Sequence, residues 1–118
     1  MSVKTIRTML DWVEDNLENE PSLSLMADYV GYSEYYCSTK FHEYVGVPFK
    51  EYVFKRKLSC AVNELINTDH RIIEIAMQCF SSHEAFARSF KRLYGYSPCQ
   101  CRKQRPDISV FERAYLEE

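Results

Sequence analysis

The sequence predicts an all-α fold of about seven helices, and the spacing of its apolar residues leads to this prediction. Apolar residues recur three and four positions apart through most of the 118 residues, and no convincing run alternates with a period of two. The chain also matches itself at a constant offset, which pairs Ala27 with Ala76, Phe41 with Phe90 and Gly46 with Gly95. A hydrophobic content of 46% is enough to fill a core in a chain of this length.

The first helix is predicted from an apolar stripe at steps of four, three and four, formed by Ile6, Leu10, Val13 and Leu17. Pro21 and Ser22 then predict a stop and a new N-cap before the stretch LSLMADYV. Gly31 supplies the permissive backbone that a short turn needs. Two helices separated by a tight turn are therefore expected at this point.

The third helix is predicted to run from Ser33 to Val45 and to end at Gly46. Its buried stripe is expected to contain Cys37, Phe41 and Tyr44. A short helix, a tight turn and a second helix form the pattern of a DNA-reading motif.

A longer helix is expected to open at Pro48 and Phe49, with an apolar stripe formed by Phe54, Leu58, Ala61 and Leu65. Asp69 is the predicted N-cap of the next short helix, IIEIAMQC. Ser81 and Glu84 predict a capping box for a helix that ends near Tyr94. The buried stripe of that helix is predicted to be Phe86, Phe90 and Leu93.

The internal repeat and the long helix predict the domain organisation. Residues 1–48 and 68–105 are expected to form two helix-turn-helix units, and residues 49–67 the linker helix that joins them. Residues 106–118 form a tail that is expected to be the start of a further segment of a longer regulator. Two copies are too few for a solenoid, whose repeats need about three neighbours to bury their faces.

The charge is distributed unevenly along the chain. The net charge is −2, but residues 49–105 hold 11 basic and 5 acidic residues, whereas residues 1–48 hold 3 and 8. Affinity for a phosphate backbone depends on the charge at the contact surface. A cationic face on this weakly acidic protein is therefore compatible with DNA binding.

Other classes of protein find little support. The five cysteines, an odd number, have spacings of neither a disulfide framework nor a zinc module, and two thiols at Cys99 and Cys101 supply only half of a zinc shell. No catalytic motif or phosphate-cradling glycine loop is present. We therefore expect no enzyme activity, cofactor, metal or membrane span, and a cytoplasmic location with reduced thiols.

The residues resemble the DNA-binding domain of the AraC/XylS family of bacterial transcription regulators between Ile6 and Arg102. The similarity lies in Ile75, Ala76, Phe80, Phe86, Phe90, Lys91, Gly95 and Pro98 of the second motif, and in Arg56, Ala61 and Leu65 of the linker helix. The stretches IRTMLDWVEDNL and SLSLMADYVGYS are most similar to the MarA/SoxS/Rob branch. The resemblance implies two recognition helices in successive major-groove segments on one face of DNA.

The sequence departs from this family in its second turn and on its first recognition helix. The family usually has a glycine immediately before the aromatic residue of the second turn, where Cys79 precedes Phe80 here. We expect one residue to be missing and the turn to form a longer or looser connection. Thr39 stands where the close branch has arginine, and Cys101 where an aromatic residue is common. The DNA sequence that is read is therefore expected to differ.

The second recognition helix provides the stronger set of candidate DNA-binding side chains, opposite Phe86 and Phe90. They are His83, Glu84, Ala87, Arg88, Lys91 and Arg92. Arg88 can donate two hydrogen bonds to one guanine, Glu84 can accept one from cytosine, and the cations at 91 and 92 suit phosphates. An exposed charged helix face is usually only solvated, and the repeat is what favours DNA binding.

The first recognition helix is expected to expose a chemically weaker set, which is Glu34, Tyr35, Ser38, Thr39 and His42. The candidate DNA-binding residues on this helix are Tyr35, Ser38, Thr39 and Lys40. Tyr35 matches a base-proximal position of the resembled branch, and Lys40 suits a backbone phosphate. Lys55, Arg56 and Lys57 are interpreted as a solvated helix face, with Arg56 as a brace between the two halves that the family position suggests.

The leading hypothesis is a sequence-specific transcription regulator that binds double-stranded DNA as a monomer on an asymmetric site. The alternative is a helical protein-interaction module that acts on a transcription partner through the acidic N-terminal part of the chain. The family resemblance favours activation over repression and makes RNA polymerase a candidate partner.

Overall fold

The computed structural model describes residues 2–116, and within them the chain forms seven α-helices and no β-strand. The helices are α1 (Val3–Asp15), α2 (Leu23–Val30), α3 (Glu34–Val45), α4 (Phe49–Asn67), α5 (Ile72–Cys79), α6 (His83–Tyr94) and α7 (Pro98–Gln104). A short 3₁₀ turn, Leu17–Asn19, follows α1. The predicted all-α fold is confirmed. In the described part of the chain, none of the helices is both long and apolar enough to cross a bilayer.

The chain divides into two compact units. The first contains the residues up to Arg56 and the segment that begins at Glu112, and the second contains Lys57–Phe111. Helix α4 contributes its first part to one unit and its remainder to the other. The finer division predicted from the sequence, with a separate linker helix and tail, stays a prediction.

The core of the first unit is formed by α1, α2, α3 and the beginning of α4. Its buried side chains include Ile6, Met9, Leu10, Val13, Met26, Ala27, Cys37, Phe41 and Tyr52. Phe41 packs edge-on against Phe49 and Tyr52, with ring centroids 5.4 and 5.5 Å apart. These contacts fix the buried side of α3, and the opposite side is left at the surface.

The core of the second unit is formed by the later part of α4 together with α5, α6 and α7. Its buried side chains are Leu58, Ala61, Val62, Leu65, Ile75, Ala76, Phe86, Phe90 and Cys101. A row of aromatic rings continues along α6, and the Phe86–Phe90 and Phe90–Tyr94 centroid distances are 5.6 and 4.9 Å. Arg102 of α7 donates hydrogen bonds to the carbonyls of Leu65 (3.0 Å) and Thr68 (3.2 Å), which satisfies carbonyls at the end of α4.

The internal repeat appears in the helix boundaries themselves. Helices α2 and α5 begin and end at equivalent positions of the repeat, and so do α3 and α6. The N-caps are equivalent serines, because Ser33 accepts from the amide of Tyr36 and Ser82 from that of Ala85, both at 3.1 Å. Gly46 also ends α3 as predicted, with φ of 93°. Each unit therefore contains one of the two predicted helix-turn-helix motifs.

The second turn differs from its sequence-based prediction. No residue is missing, because Phe80 stands at the repeat position that Gly31 occupies in the first unit, and the two turns are equally long. Gly31 is left-handed, with φ of 83°, whereas Phe80 is extended, with φ of −132° and ψ of 157°. The ring of Phe80 packs against Phe86 with centroids 5.3 Å apart. The turn thus needs no glycine, since an extended residue takes the place of the left-handed one.

Two predicted N-caps are wrong. The N-cap of helix α5 is Arg71, whose side chain forms no capping hydrogen bond. Asp69 lies outside this helix, and the hydroxyl of Thr68 just before it still donates to the Glu64 carbonyl of α4 at 2.7 Å. Helix α6 begins after Ser82, so Ser81 is one residue too early and Glu84 occupies the second helical position instead of the third. A true capping box occurs instead at Ser97 and Gln100, at the start of α7.

Three residues that were predicted to lie in buried stripes are exposed. Tyr44 and Phe54 each expose 37% of their surface, and Leu93 exposes 41%. The aromatic row of α6 continues from the buried Phe90 to the half-buried Tyr94, four residues on, and this leaves Leu93 at the edge of the stripe.

Candidate nucleic-acid interface

The exposed side of α6 carries the charged residues that the sequence predicts there. Phe86 and Phe90 are completely buried on the other side. The exposed residues of the predicted set are His83, Glu84, Arg88, Lys91 and Arg92, and Ala87 is half-buried. The structure therefore brings these six predicted residues together on one helix.

The cations of α6 are available for a ligand. Within residues 2–116, the side chains of Arg88, Lys91 and Arg92 have no hydrogen-bond or ion-pair partner in the protein. Lys91 and Arg92 lie in the last turn of the helix, where positive charge interacts favourably with the helix dipole. Binding a phosphate or a base edge at these side chains would not require an existing ion pair to be broken. Guanidinium and ammonium groups in this state suit an anionic partner.

The exposed side of α3 is aromatic and hydroxylic rather than cationic. Tyr35 exposes 83% of its surface, Thr39 is exposed and Ser38 is half-buried. In the repeat, Tyr35 corresponds to Glu84 and Thr39 to Arg88 of α6. The two helices thus present equivalent positions with different chemistry, and α3 offers hydroxyl groups, each with one donor hydrogen and an oxygen that can also accept.

Lys40 already has partners in the protein. Its Nζ lies 3.2 Å from an oxygen of Glu43 and 5.8 Å from the centre of the Tyr36 ring. The hydrogen bond to Glu43 raises the pKa of Lys40. A phosphate at this lysine would have to compete with Glu43. Glu43 lies three residues after Lys40 on the same helix, and this spacing is the sequence signal for the pair.

The basic triplet of α4 is also engaged. Lys55 pairs with Glu51 at 3.1 Å, and the ammonium of Lys57 lies 5.8 Å from the centre of the Phe80 ring. Arg56 forms a two-bond ion pair with Glu14, with Nε–Oε1 and Nη2–Oε2 distances of 2.6 and 3.2 Å. This ion pair joins α4 to α1 within the first unit. A role for Arg56 as a brace between the two halves stays a prediction.

The thiols show no arrangement for metal binding in the part of the chain that the structure describes. No group of three His, Cys, Asp or Glu side chains comes together there. Cys37 and Cys101 are buried, and burial raises the pKa of both thiols, whereas Cys99 is exposed. A thiol whose pKa is raised is protonated at neutral pH and is a poor nucleophile.

Each unit contains a short helix, a tight turn and a second, serine-capped helix with one exposed side. This arrangement defines a helix-turn-helix protein. The pattern of a helix-turn-helix domain family matches residues 26–104. The chain belongs to this family, which is of the AraC/XylS type and consists of DNA-binding transcription regulators. The resemblance stated from the sequence is confirmed at family level, whereas the MarA/SoxS/Rob branch stays a prediction.

Two relatives show how much of a longer protein the chain covers. It is 37% identical over 94 residues to the HTH-type transcriptional activator AarP of Providencia stuartii, which corresponds to 79% of this chain and 70% of AarP. It is 36% identical over 105 residues to an uncharacterized HTH-type transcriptional regulator of Staphylococcus aureus. That match spans 88% of this chain but only 14% of the staphylococcal protein.

Solved structures share the fold. A transcriptional regulator of Chromobacterium violaceum with an AraC-type DNA-binding domain is 26% identical, with a TM-score of 0.78, over 90% of this chain and 96% of that one. The DNA-binding domain of AdpA, solved in complex with a target DNA, is 21% identical with a TM-score of 0.78 over 84% and 90%. At this identity the AdpA match concerns the fold alone.

Proposed function

We propose that this protein regulates transcription by binding a specific sequence of double-stranded DNA, with α3 and α6 each entering a major-groove segment. The observation that carries the proposal is the pair of equivalent capped helices, of which α6 presents three cations that have no partner among the described residues. A recognition helix places its exposed side chains against base edges in the major groove. Family membership supports the same function.

The candidate residues divide into two roles in this proposal. Arg88 is suited to bidentate contact with guanine, and Lys91 and Arg92 to backbone phosphates. The reading surface of α6 is completed by His83, Glu84 and Ala87. On α3, the side chains proposed to contact bases or phosphates are Tyr35, Ser38 and Thr39. Lys40 is proposed to bind a backbone phosphate in competition with Glu43.

The salt dependence of binding tests this proposal. The logarithm of the association constant is expected to fall with the logarithm of the salt concentration, with a slope of about −0.9 for each neutralised phosphate. Fluorescence anisotropy with labelled duplexes at several salt concentrations measures the slope. A flat response, with any binding insensitive to salt, would favour the alternative of a helical module that binds a protein partner.

We further propose that one chain occupies one asymmetric site, because two different recognition helices are supplied by a single chain and need no two-fold axis. Sedimentation of the complex should give one protein per duplex. Two chains on a palindromic site would contradict this proposal. For the biological role, we propose that the protein activates transcription, and the similarity to an activator supports this. We propose that it acts in the cytoplasm with RNA polymerase as its partner and has no catalytic activity.

A further inference from the structure

The segment of residues 112–116, the C-terminal strap, is fastened to the first unit. It lies beyond the region that matches the family, which ends at residue 104. Arg7 of α1 donates from Nε to the carbonyl of Leu116 at 2.7 Å, and Arg113 forms an ion pair with Asp11 of α1. The amide of Ala114 donates to the hydroxyl of Tyr52 at 3.0 Å. Three successive fastenings therefore hold the strap on α1 and α4.

Tyr52 connects the strap to the first recognition helix. Its side chain is completely buried, and its ring packs edge-on against Phe41 with centroids 5.5 Å apart. Phe41 is the buried anchor of α3 and is itself completely buried. One side chain thus contacts the strap through its hydroxyl and the buried side of α3 through its ring.

The chemistry of the contact makes Tyr52 sensitive to the strap. Burial raises the pKa of Tyr52, and the hydrogen bond from Ala114 opposes this effect. The hydroxyl is therefore neutral at physiological pH and accepts the Ala114 amide as an uncharged group. A buried aromatic ring has little freedom to turn when its hydroxyl is held at one end and its ring edge is packed at the other.

We propose that the C-terminal strap positions α3 for DNA binding through Tyr52, which makes Tyr52 a positioning residue for the first recognition helix. This inference rests on the proposed function. A binding surface has to be held within about 0.5 Å and 10 to 20° of its productive geometry, and supporting residues behind the contact surface provide that restraint. The strap supplies such support from outside the family domain.

Two full-length variants test the proposal. Tyr52→Phe removes the hydroxyl and keeps the ring, and Arg113→Gln removes the ion pair with Asp11 at a different point of the strap. Tyr52→Phe is expected to weaken binding to the preferred duplex by about three- to tenfold, the value of one hydrogen bond. Arg113→Gln is expected to weaken it by about two- to fivefold, because the Asp11 partner is mostly exposed to solvent. Tyr29→Phe is the matched control, because it removes an exposed hydroxyl from the same unit outside the strap and is expected to change nothing.

The readout that separates positioning from general stability is the base preference of each half of the site. Both strap variants should relax the preference in the segment read by α3 and leave the segment read by α6 unchanged. In the same variants, amide hydrogen exchange should become faster in α3 and remain unchanged in α6. Equal loss of preference in both segments, or loss of affinity with both preferences intact, would overturn the proposal.

The exchange measurement also separates this inference from the proposed function. If the wild-type protein binds no duplex DNA, the proposed function fails, but the exchange rates of α3 still report whether the strap holds this helix. Unchanged exchange in α3 in both strap variants would overturn the strap proposal, whatever the DNA measurements show.

Discussion

Arg88 offers the sharpest distinction between reading bases and binding phosphates. Its side chain is exposed on α6 and has no hydrogen-bond or ion-pair partner among the described residues, so Arg88→Ala should leave the fold intact within about 0.5 kcal/mol. A bidentate contact with guanine contributes about 1 to 3 kcal/mol of discrimination. The expected loss on the preferred duplex is therefore about 5- to 150-fold, and the preference should relax at one or two adjacent base pairs.

Arg92 is the internal comparison, since it lies one turn further along the same helix. Arg92→Ala should weaken binding to preferred and random duplexes by about the same factor, and the salt slope should fall by about one unit. Thr39→Ala tests the position of α3 that corresponds to Arg88. It should cost less than Arg88→Ala, because a hydroxyl has a single donor hydrogen, whereas a guanidinium can donate two hydrogen bonds to one guanine.

Anisotropy titrations on the preferred duplex, on single-base variants of it and on random duplex measure all three effects. Thermal unfolding of each variant provides the control for folding. The reasoning is refuted if Arg88→Ala lowers the affinity for every sequence by the same factor. In that case α6 would only clamp phosphates, and base reading by Arg88 would be wrong.

Three further predictions concern the fold. Arg56→Met should destabilise the protein by about 3 kcal/mol in urea unfolding, because it leaves the mostly buried Glu14 carboxylate without this ion pair, and an unchanged midpoint would contradict this. Gly46→Ala should lower the free energy of unfolding by about 1 to 2 kcal/mol in the same assay, because of backbone strain at a φ of +93°. An added Cβ would meet no atom within 4 Å, so a steric clash does not contribute. An unchanged free energy of unfolding would contradict the strain argument. Iodoacetamide should modify the exposed Cys99 in the native protein and spare Cys37, as mass spectrometry would show, and rapid modification of Cys37 would contradict its burial.

The sequence predicted the repeated part of the fold well, because the repeat supplied each signal twice. Ser33, Gly46 and the apolar pair formed by Cys37 and Phe41 locate α3, and the same pattern recurs in α6. The identity of the exposed residues followed directly from which side of each helix is buried. Local periodicity and capping chemistry were sufficient for these features.

The errors came from features that depend on a choice between neighbouring residues or on distant contacts. Ser81 and Ser82 are equally good N-caps by composition, and only the position of the helix decides between them. The turn at Phe80 was predicted from a missing glycine, although an extended backbone removes the need for one. The strap could not be predicted, because the Ala114–Tyr52 hydrogen bond joins residues 62 positions apart.

Selection of bound sequences from a pool of random duplex DNA tests the central claim most directly. The proposed function predicts enrichment of an asymmetric site with two separate preferred segments, and the preference in one of them should be lost when the selection is repeated with Arg88→Ala. If thermal unfolding shows that the protein is folded and the selection still enriches no sequence, sequence-specific DNA binding would be contradicted. A symmetric site would contradict the assignment of its two segments to two different helices of one chain.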